Sequence, residues 1–178
     1  LTGGRTIDAL TSHVDLVPTL LEGVGLPVPS ELHGRSLWSL LRGDPDALHD
    51  AVYAEKTFHT AYEPQRMIRT DRWKLVANLE VDILNVPGDV LRSPVTPHMV
   101  DEIARERAPL ELYDLVADPE ERANLADDPD HAEVRRRLAS DLLAWMRATA
   151  DPILDGPVAS PFRTNALRAL GVDEEAQA

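Results

Sequence analysis

An α+β fold, with a small antiparallel sheet of about four strands packed against one long C-terminal helix, is what this sequence predicts. Three observations lead there. From Gln65 to Leu79, two apolar-rich runs flank Asp71-Arg72, a polar pair of the length that closes a tight hairpin. Val134, Leu138, Leu142 and Trp145 fall on one face at helical spacing. Val52-Tyr53-Ala54 and Leu110 to Leu115 supply two further runs of strand composition. A lone hairpin is marginal in water, so the helix stripe and the hairpin's apolar face each need what the other offers.

The elements follow in order. Leu1 to Ser12 has no clear period and reads as the end of something upstream. Asp15 is placed to cap a helix through its carboxylate, and Pro18 is tolerated in the first turn. Leu16, Leu20, Leu21 and Val24 then share a face, and Gly23 or Gly25 ends the helix. Pro27 and Pro29 keep the next stretch extended, and short helices are expected at this end of the chain. Ser36 caps one of them, Leu37 to Arg42, with Gly43 just past its end. Val52 to Ala54 is a strand, and Glu55 to Pro64 is read as a loop leading to the hairpin.

In the hairpin's second strand, Trp73, Leu75, Ala77 and Leu79 share one face. Lys74 and Asn78 point the other way, joined by Val76. Glu80 to Pro97 holds three prolines and little period, which suggests a surface excursion. Pro97 to Arg107 is read as helical. Asp118, Pro119 and Glu121 carry the cap, first-position proline and third-position acid of a helical turn. Asp128-Pro129 repeats that signal ahead of the long helix, where Glu133 sits four residues before Arg137, a favourable pairing. Asp151-Pro152 stops the helix, because the residue before proline avoids the helical region. From about Gly171 the chain is acidic and expected to fray.

Composition narrows the function classes. A formal net charge of −13 leaves no basic stripe to neutralise phosphates, which argues against nucleic acid as a partner. No apolar run approaches a membrane span and no signal-peptide pattern appears, so no membrane partner is expected. The chain has no cysteine, hence no disulfide, thiolate metal site or cysteine-derived nucleophile of its own. The six histidines lie at 13, 33, 49, 59, 98 and 131, without the paired spacing of a zinc helix, and the aspartates lack the spacing of a calcium loop. No metal site and no catalytic residue is therefore assigned within the chain. Asp15, Asp118 and Asp128 are explained as caps. Glu55-Lys56-Thr57-Phe58-His59 is the polar cluster most suggestive of binding, since it sits in a loop beside a rigid scaffold. Arg66 and Arg69 could hold an anion, but pairing with nearby acids is the simpler reading.

Three ordered blocks resemble the C-terminal portion of a sulfatase in the alkaline phosphatase superfamily. The first is Ser12-His13-Val14-Asp15-Leu16-Val17-Pro18-Thr19-Leu20-Leu21, followed by Gly34-Arg35-Ser36-Leu37 and Leu40-Leu41-Arg42-Gly43. The second is Arg66 to Leu79. The third is Glu111-Leu112-Tyr113-Asp114-Leu115 with Asp118-Pro119-Glu120-Glu121 and Asn124-Leu125. Trp145 and Thr149-Ala150-Asp151-Pro152 extend the resemblance toward the heparan N-sulfatase (sulfamidase) branch.

The resemblance implies a division into three parts. Residues 1–45 would end the catalytic domain and connect it onward, 46–155 would form the C-terminal α+β subdomain, and 156–178 would be a tail. It also implies that the complete protein hydrolyses sulfuric esters or sulfamates of a sulfated small molecule or sugar. In such proteins a formylglycine, made within a Cys/Ser-x-Pro-x-Arg motif, supplies the attacking oxygen beside a calcium ion held by Asp and Asn residues. Both belong to the family's N-terminal domain, the expected partner of this chain. No serine here has proline two positions later, and Ala159-Ser160-Pro161-Phe162-Arg163 puts alanine at the nucleophile position. By itself the chain should be inactive, giving structural support, with His59 and Lys56 as rim residues for a sulfate or a sugar carboxylate. An exposed apolar patch is expected around Leu16, Leu20 and Leu21. Self-association is left open. The rival readings are a stand-alone acidic interaction module and a phosphonate or phosphate monoester hydrolase with the same ending.

Overall fold

The computed structural model describes residues 3–4, 6–44, 48–59, 62–80, 88–103 and 107–172. Strands β1 (Val52–Phe58), β2 (Tyr62–Arg69), β3 (Trp73–Asn78) and β4 (Leu110–Asp114) form an antiparallel sheet in the order β1-β2-β3-β4. Helices α1 (Leu16–Gly23) and α2 (Trp38–Arg42) precede it, and α3 (Gly88–Leu91) and α4 (Val100–Ile103) lie between β3 and β4. The long helix α5 (Ala132–Ala148) and a shorter α6 (Pro161–Ala169) follow.

The predicted hairpin is the middle of this sheet. Thr70 N–H donates to Trp73 O at 2.8 Å and the Thr70 hydroxyl accepts from Trp73 N–H at 3.0 Å, leaving Asp71-Arg72 at the tip. Register then decides the core. Tyr53 sits opposite Ile68, Ile68 opposite Leu75, and Leu75 opposite Leu112, so one row crosses all four strands. Helix α5 covers that row with Leu138, Leu142 and Met146, and Val134 and Trp145 flank them half-buried. Tyr53 stacks on Trp145 with ring centroids 5.0 Å apart. Asp128 caps the approach to α5, its carboxylate accepting from Asp130 N–H at 2.9 Å. Asn124 closes the β4 edge, its carbonyl accepting from Leu112 N–H at 2.9 Å and its amide donating to Leu110 O at 3.1 Å. Backbone groups that would otherwise offer a pairing edge are thereby satisfied.

Arg66 points to the same face as Ile68, two residues on, and is buried. Its Nε and Nη2 donate to the two oxygens of Asp151 at 2.5 and 2.8 Å, and Nη1 donates to Lys56 O and Gln65 O. The guanidinium holds the Asp151 carboxyl below the usual carboxylate range. Asp151, read from sequence as a helix stop, is thus also the buried counter-charge that ties the end of α5 to the sheet.

Three expectations need correction. The first strand runs on to Phe58, and Tyr62 to Pro64 already belong to β2, so most of the supposed loop from Glu55 to Pro64 is strand, and 60–61 lie outside the described residues. Polar Glu55, Lys56 and Thr57 mask an edge strand because neither of its faces is uniformly apolar. Leu79 lies past the end of β3 and is exposed, so it does not join the row of Trp73, Leu75 and Ala77. Asp118 starts no helix: its carboxylate accepts from Ala123 N–H at 2.8 Å, closing a turn in which Glu121 has φ 55°. The stretch beyond 156 holds α6, whose cap is Ser160, accepting from Arg163 N–H at 3.3 Å. Between Pro97 and Arg107 the helical reading is met by a 3-10 turn over Thr96–His98 and by α4, while 104–106 lie outside the described residues. Of the excursion, 81–87 also lie outside them.

Candidate functional site

Two places bear on function: the junction between the helices before β1 and the sheet, and the end of the β1–β2 hairpin.

The junction is organised by Asp15. Its sequence position suggests a cap for α1, but the carboxylate turns inward and is fully buried. It accepts from Ser12 N–H at 2.7 Å and Arg35 N–H at 2.8 Å, and both of its oxygens lie 3.0 Å from Nε2 of His49. A buried carboxylate is tolerable only when so satisfied. Thr19 adds two more ties, its hydroxyl accepting from Leu37 N–H at 2.9 Å and its carbonyl from Trp38 Nε1 at 2.7 Å. Gly34 must be glycine for this, since a Cβ there would meet Val14 O at 1.9 Å. The hairpin of α1 and α2 is therefore clamped through polar bonds and close backbone contact. Its apolar side is left open: Val14, Leu16, Val17, Leu20 and Val24 are all exposed, with Leu21 half-buried, in keeping with the exposed patch that the family resemblance implied around Leu16, Leu20 and Leu21. An open cleft of about 820 Å³ lies beside the junction, lined by His33, Arg35 and His49 on one side and Tyr53, Asp141 and Trp145 on the other. Neither Lys56 nor His59 lines it.

The second place is the sheet face opposite α5. Here Gln65 donates to Asn78 Oδ1 at 2.6 Å, Asn78 donates to Glu111 at 3.1 Å, and the Tyr113 hydroxyl donates to Glu111 at 2.8 Å. Toward the hairpin end, Lys56 Nζ lies 2.7 Å from Glu63 Oε2, and the Arg107 guanidinium pairs with Glu63 Oε1. Burial, and secondarily the charge of Arg107, lowers the Lys56 pKa from its ordinary value. His59 is exposed just beyond β1. Of the two predicted binding residues, then, one projects from a strand and is already paired, and the other stands at the turn. Sequence reasoning missed Glu63, treated only as part of the loop, and Arg107, treated only as the end of a helical stretch. Neither carried a spacing signal, because their meeting depends on sheet register and on the return of the chain into β4.

The residues present do not fit the groups that sulfatase chemistry uses. Without cysteine there is no precursor for a cysteine-derived formylglycine, and Ser160 is occupied as a helix cap. Among the described residues no group of three His, Asp or Glu side chains is arranged to hold a metal ion. No reaction step is therefore derived from this chain. No helix among the described residues is long and apolar enough to cross a membrane.

With this geometry in hand, the chain can be set beside known proteins. A family model described as the C-terminal region of N-sulphoglucosamine sulphohydrolase matches residues 1–86. An ulvan-active sulfatase of Formosa agariphila is 31% identical, over 90% of this chain and 34% of that protein. The N-sulphoglucosamine sulphohydrolase of Homo sapiens is 29% identical, over 86% of this chain and 36% of that one. Among solved structures, a 2-O GAG sulfatase superposes with a TM-score of 0.66 at 27% identity, covering 89% of this chain and 30% of that chain. The chain thus spans about a third of the length of the curated relatives it matches.

Proposed function

We propose, from the premise that this chain is the C-terminal portion of a sulfatase of the alkaline phosphatase superfamily, that it braces a catalytic domain in the same protein and shapes the rim of its substrate pocket. On this reading residues 1–45 complete the catalytic domain, 46–155 form the accessory subdomain, and 156–178 trail from it. The formylglycine and the calcium ion lie in the catalytic domain, outside these residues. The complete protein hydrolyses a sulfate ester or sulfamate carried by a sugar, and His59 and Lys56 face that sugar.

The observation that carries the reading is the open apolar side of α1, on a helix that is otherwise firmly clamped. An apolar stripe of this extent marks a surface that another protein layer covers, and a catalytic domain encoded before Leu1 is the nearest such layer. The names of the relatives support sulfated sugars as the substrate class, since they describe action on ulvan and on N-sulphoglucosamine.

The test is an assay of the full-length protein with calcium on a sulfate ester, a sulfamate and a phosphonate monoester, beside the 178-residue chain alone. Turnover of the sulfate ester or the sulfamate by the full-length protein, and none by the chain, is expected. Turnover by the isolated chain, or preference for the phosphonate, would overturn the proposal. The gene upstream of Leu1 should also encode a Cys/Ser-x-Pro-x-Arg motif.

A further inference from the structure

We infer that Lys56 and Arg107, held together by Glu63, form an anion-recognition cluster for a second charged group on the substrate, one that is not itself hydrolysed. The inference rests on the proposed sulfatase reading and adds Arg107 and Glu63 to the pocket rim.

Charge balance is the starting observation. Elsewhere on the sheet no carboxylate is outnumbered among the described ion pairs: Arg72 meets Asp114, Lys74 meets Glu121, and the buried Arg66 lies near both Asp151 and Glu55. At Glu63, among the described residues, two cations share a single carboxylate, a surplus positive charge in a chain whose formal net charge is −13. The Arg107 charge reaches Lys56 strongly enough to help lower its pKa, so the two cations sense each other. An arriving anion would relieve that repulsion.

Layering matters as much as charge. The Glu63 side chain is 9% exposed, whereas those of Lys56 and Arg107 are 34% and 47% exposed. The carboxylate therefore lies beneath and fixes the cations, and the cations present N–H groups to solvent. A guanidinium beside an ammonium is well suited to carboxylate or sulfate oxygens, because each N–H donates a charge-assisted hydrogen bond. The cluster is also close along the chain to His59, the other residue proposed for the rim. His59 follows Lys56 by three residues, a span of at most about 10 Å of extended chain. Phe58 and Tyr62, paired across β1 and β2, pack with ring centroids 5.1 Å apart at this end of the hairpin.

Steady-state kinetics of the full-length protein test this with three probes. They are 4-nitrophenyl sulfate, a disaccharide bearing one sulfate ester and one uronate carboxylate, and the same disaccharide with the carboxylate reduced to an alcohol. Arg107→Ala is expected to raise KM for the charged disaccharide roughly tenfold, at the lower end of a hydrogen bond to a charged group. It should leave kcat for that substrate nearly unchanged and raise KM for the two other probes several-fold less. Lys56→Ala should act in the same direction, and Arg107→Lys should restore part of the loss. Equal effects on all three probes, or none on the charged disaccharide, would overturn the inference while the sulfatase reading stands. A wild-type protein that hydrolyses none of the probes would overturn both together. Arg107 is half-exposed, so its loss should not unfold the protein, and an unchanged Tm for the variant verifies this.

Discussion

Helices α1 and α5 are both amphipathic, yet they are held by opposite means. In α5 the apolar stripe does the holding: Leu138 is fully buried against the row Ile68, Leu75 and Leu112. In α1 the corresponding side chains face solvent, with Leu20 68% and Val24 71% exposed. The helix is fixed instead by Asp15, Thr19 and the close approach of Gly34. An apolar stripe states what a helix needs, and only the surroundings decide whether the need is met. The difference teaches that the sheet and α5 are complete as a packing unit, whereas the α1–α2 hairpin is complete only in its hydrogen bonds.

Substitutions can break the two anchorages separately. Asp151→Ala should act most strongly, because it leaves Arg66 buried without its counter-charge, a loss of about 3–5 kcal/mol readable by urea unfolding. Leu138→Ala should cost about 2–5 kcal/mol as a core cavity. In the same chain Leu20→Ala should change stability by no more than about 0.5 kcal/mol, as for a surface position. Equal losses at Leu138 and Leu20 would erase the contrast. Asp15→Ala should leave up to three donors unmet, at about 1–3 kcal/mol for each one that water cannot reach. Its signature is regional: amide exchange should quicken in α1 and α2 while α5 keeps its protection.

Acid sharpens the comparison more gently. The Arg72 guanidinium, helped by the Val116 and Ala117 amides, lowers the Asp114 pKa to about 2 from 3.8. Arg66 lowers that of Asp151 in the same direction. A depressed carboxylate stabilises the fold fully above its unfolded value and loses that contribution as pH falls toward the folded one. Stability should therefore be flat above about pH 4–5 and decline on acidification toward pH 2. A decline that instead began near neutrality would point to a different titrating group.

Much of this molecule can be read from its sequence where the interactions are local or periodic. The Asp71-Arg72 turn, the stripe on α5, and the cap at Asp128 needed no more than spacing. The exposed patch on α1 followed from the same logic once a covering layer was expected from the family resemblance. What escaped depends on distant partners. Asp15 looks like a cap because, apart from nearby Ser12, its partners Arg35 and His49 lie 20 and 34 residues away. Asp151 looks like a helix stop because Arg66 is 85 residues away. Strand β1 was cut short at Ala54 because an edge strand beside a polar network shows no clean alternation. That misplacement put Lys56 in a loop and hid Glu63 as its partner.

The account stands or falls on what covers α1. Thermal unfolding of the full-length protein carrying Leu20→Asp tests it most directly, with the same substitution in the 178-residue chain as reference. A clear drop in Tm and activity for the full-length protein, with little change in the chain alone, is the predicted result. A full-length variant as stable and active as its parent would mean that this apolar face meets no catalytic domain.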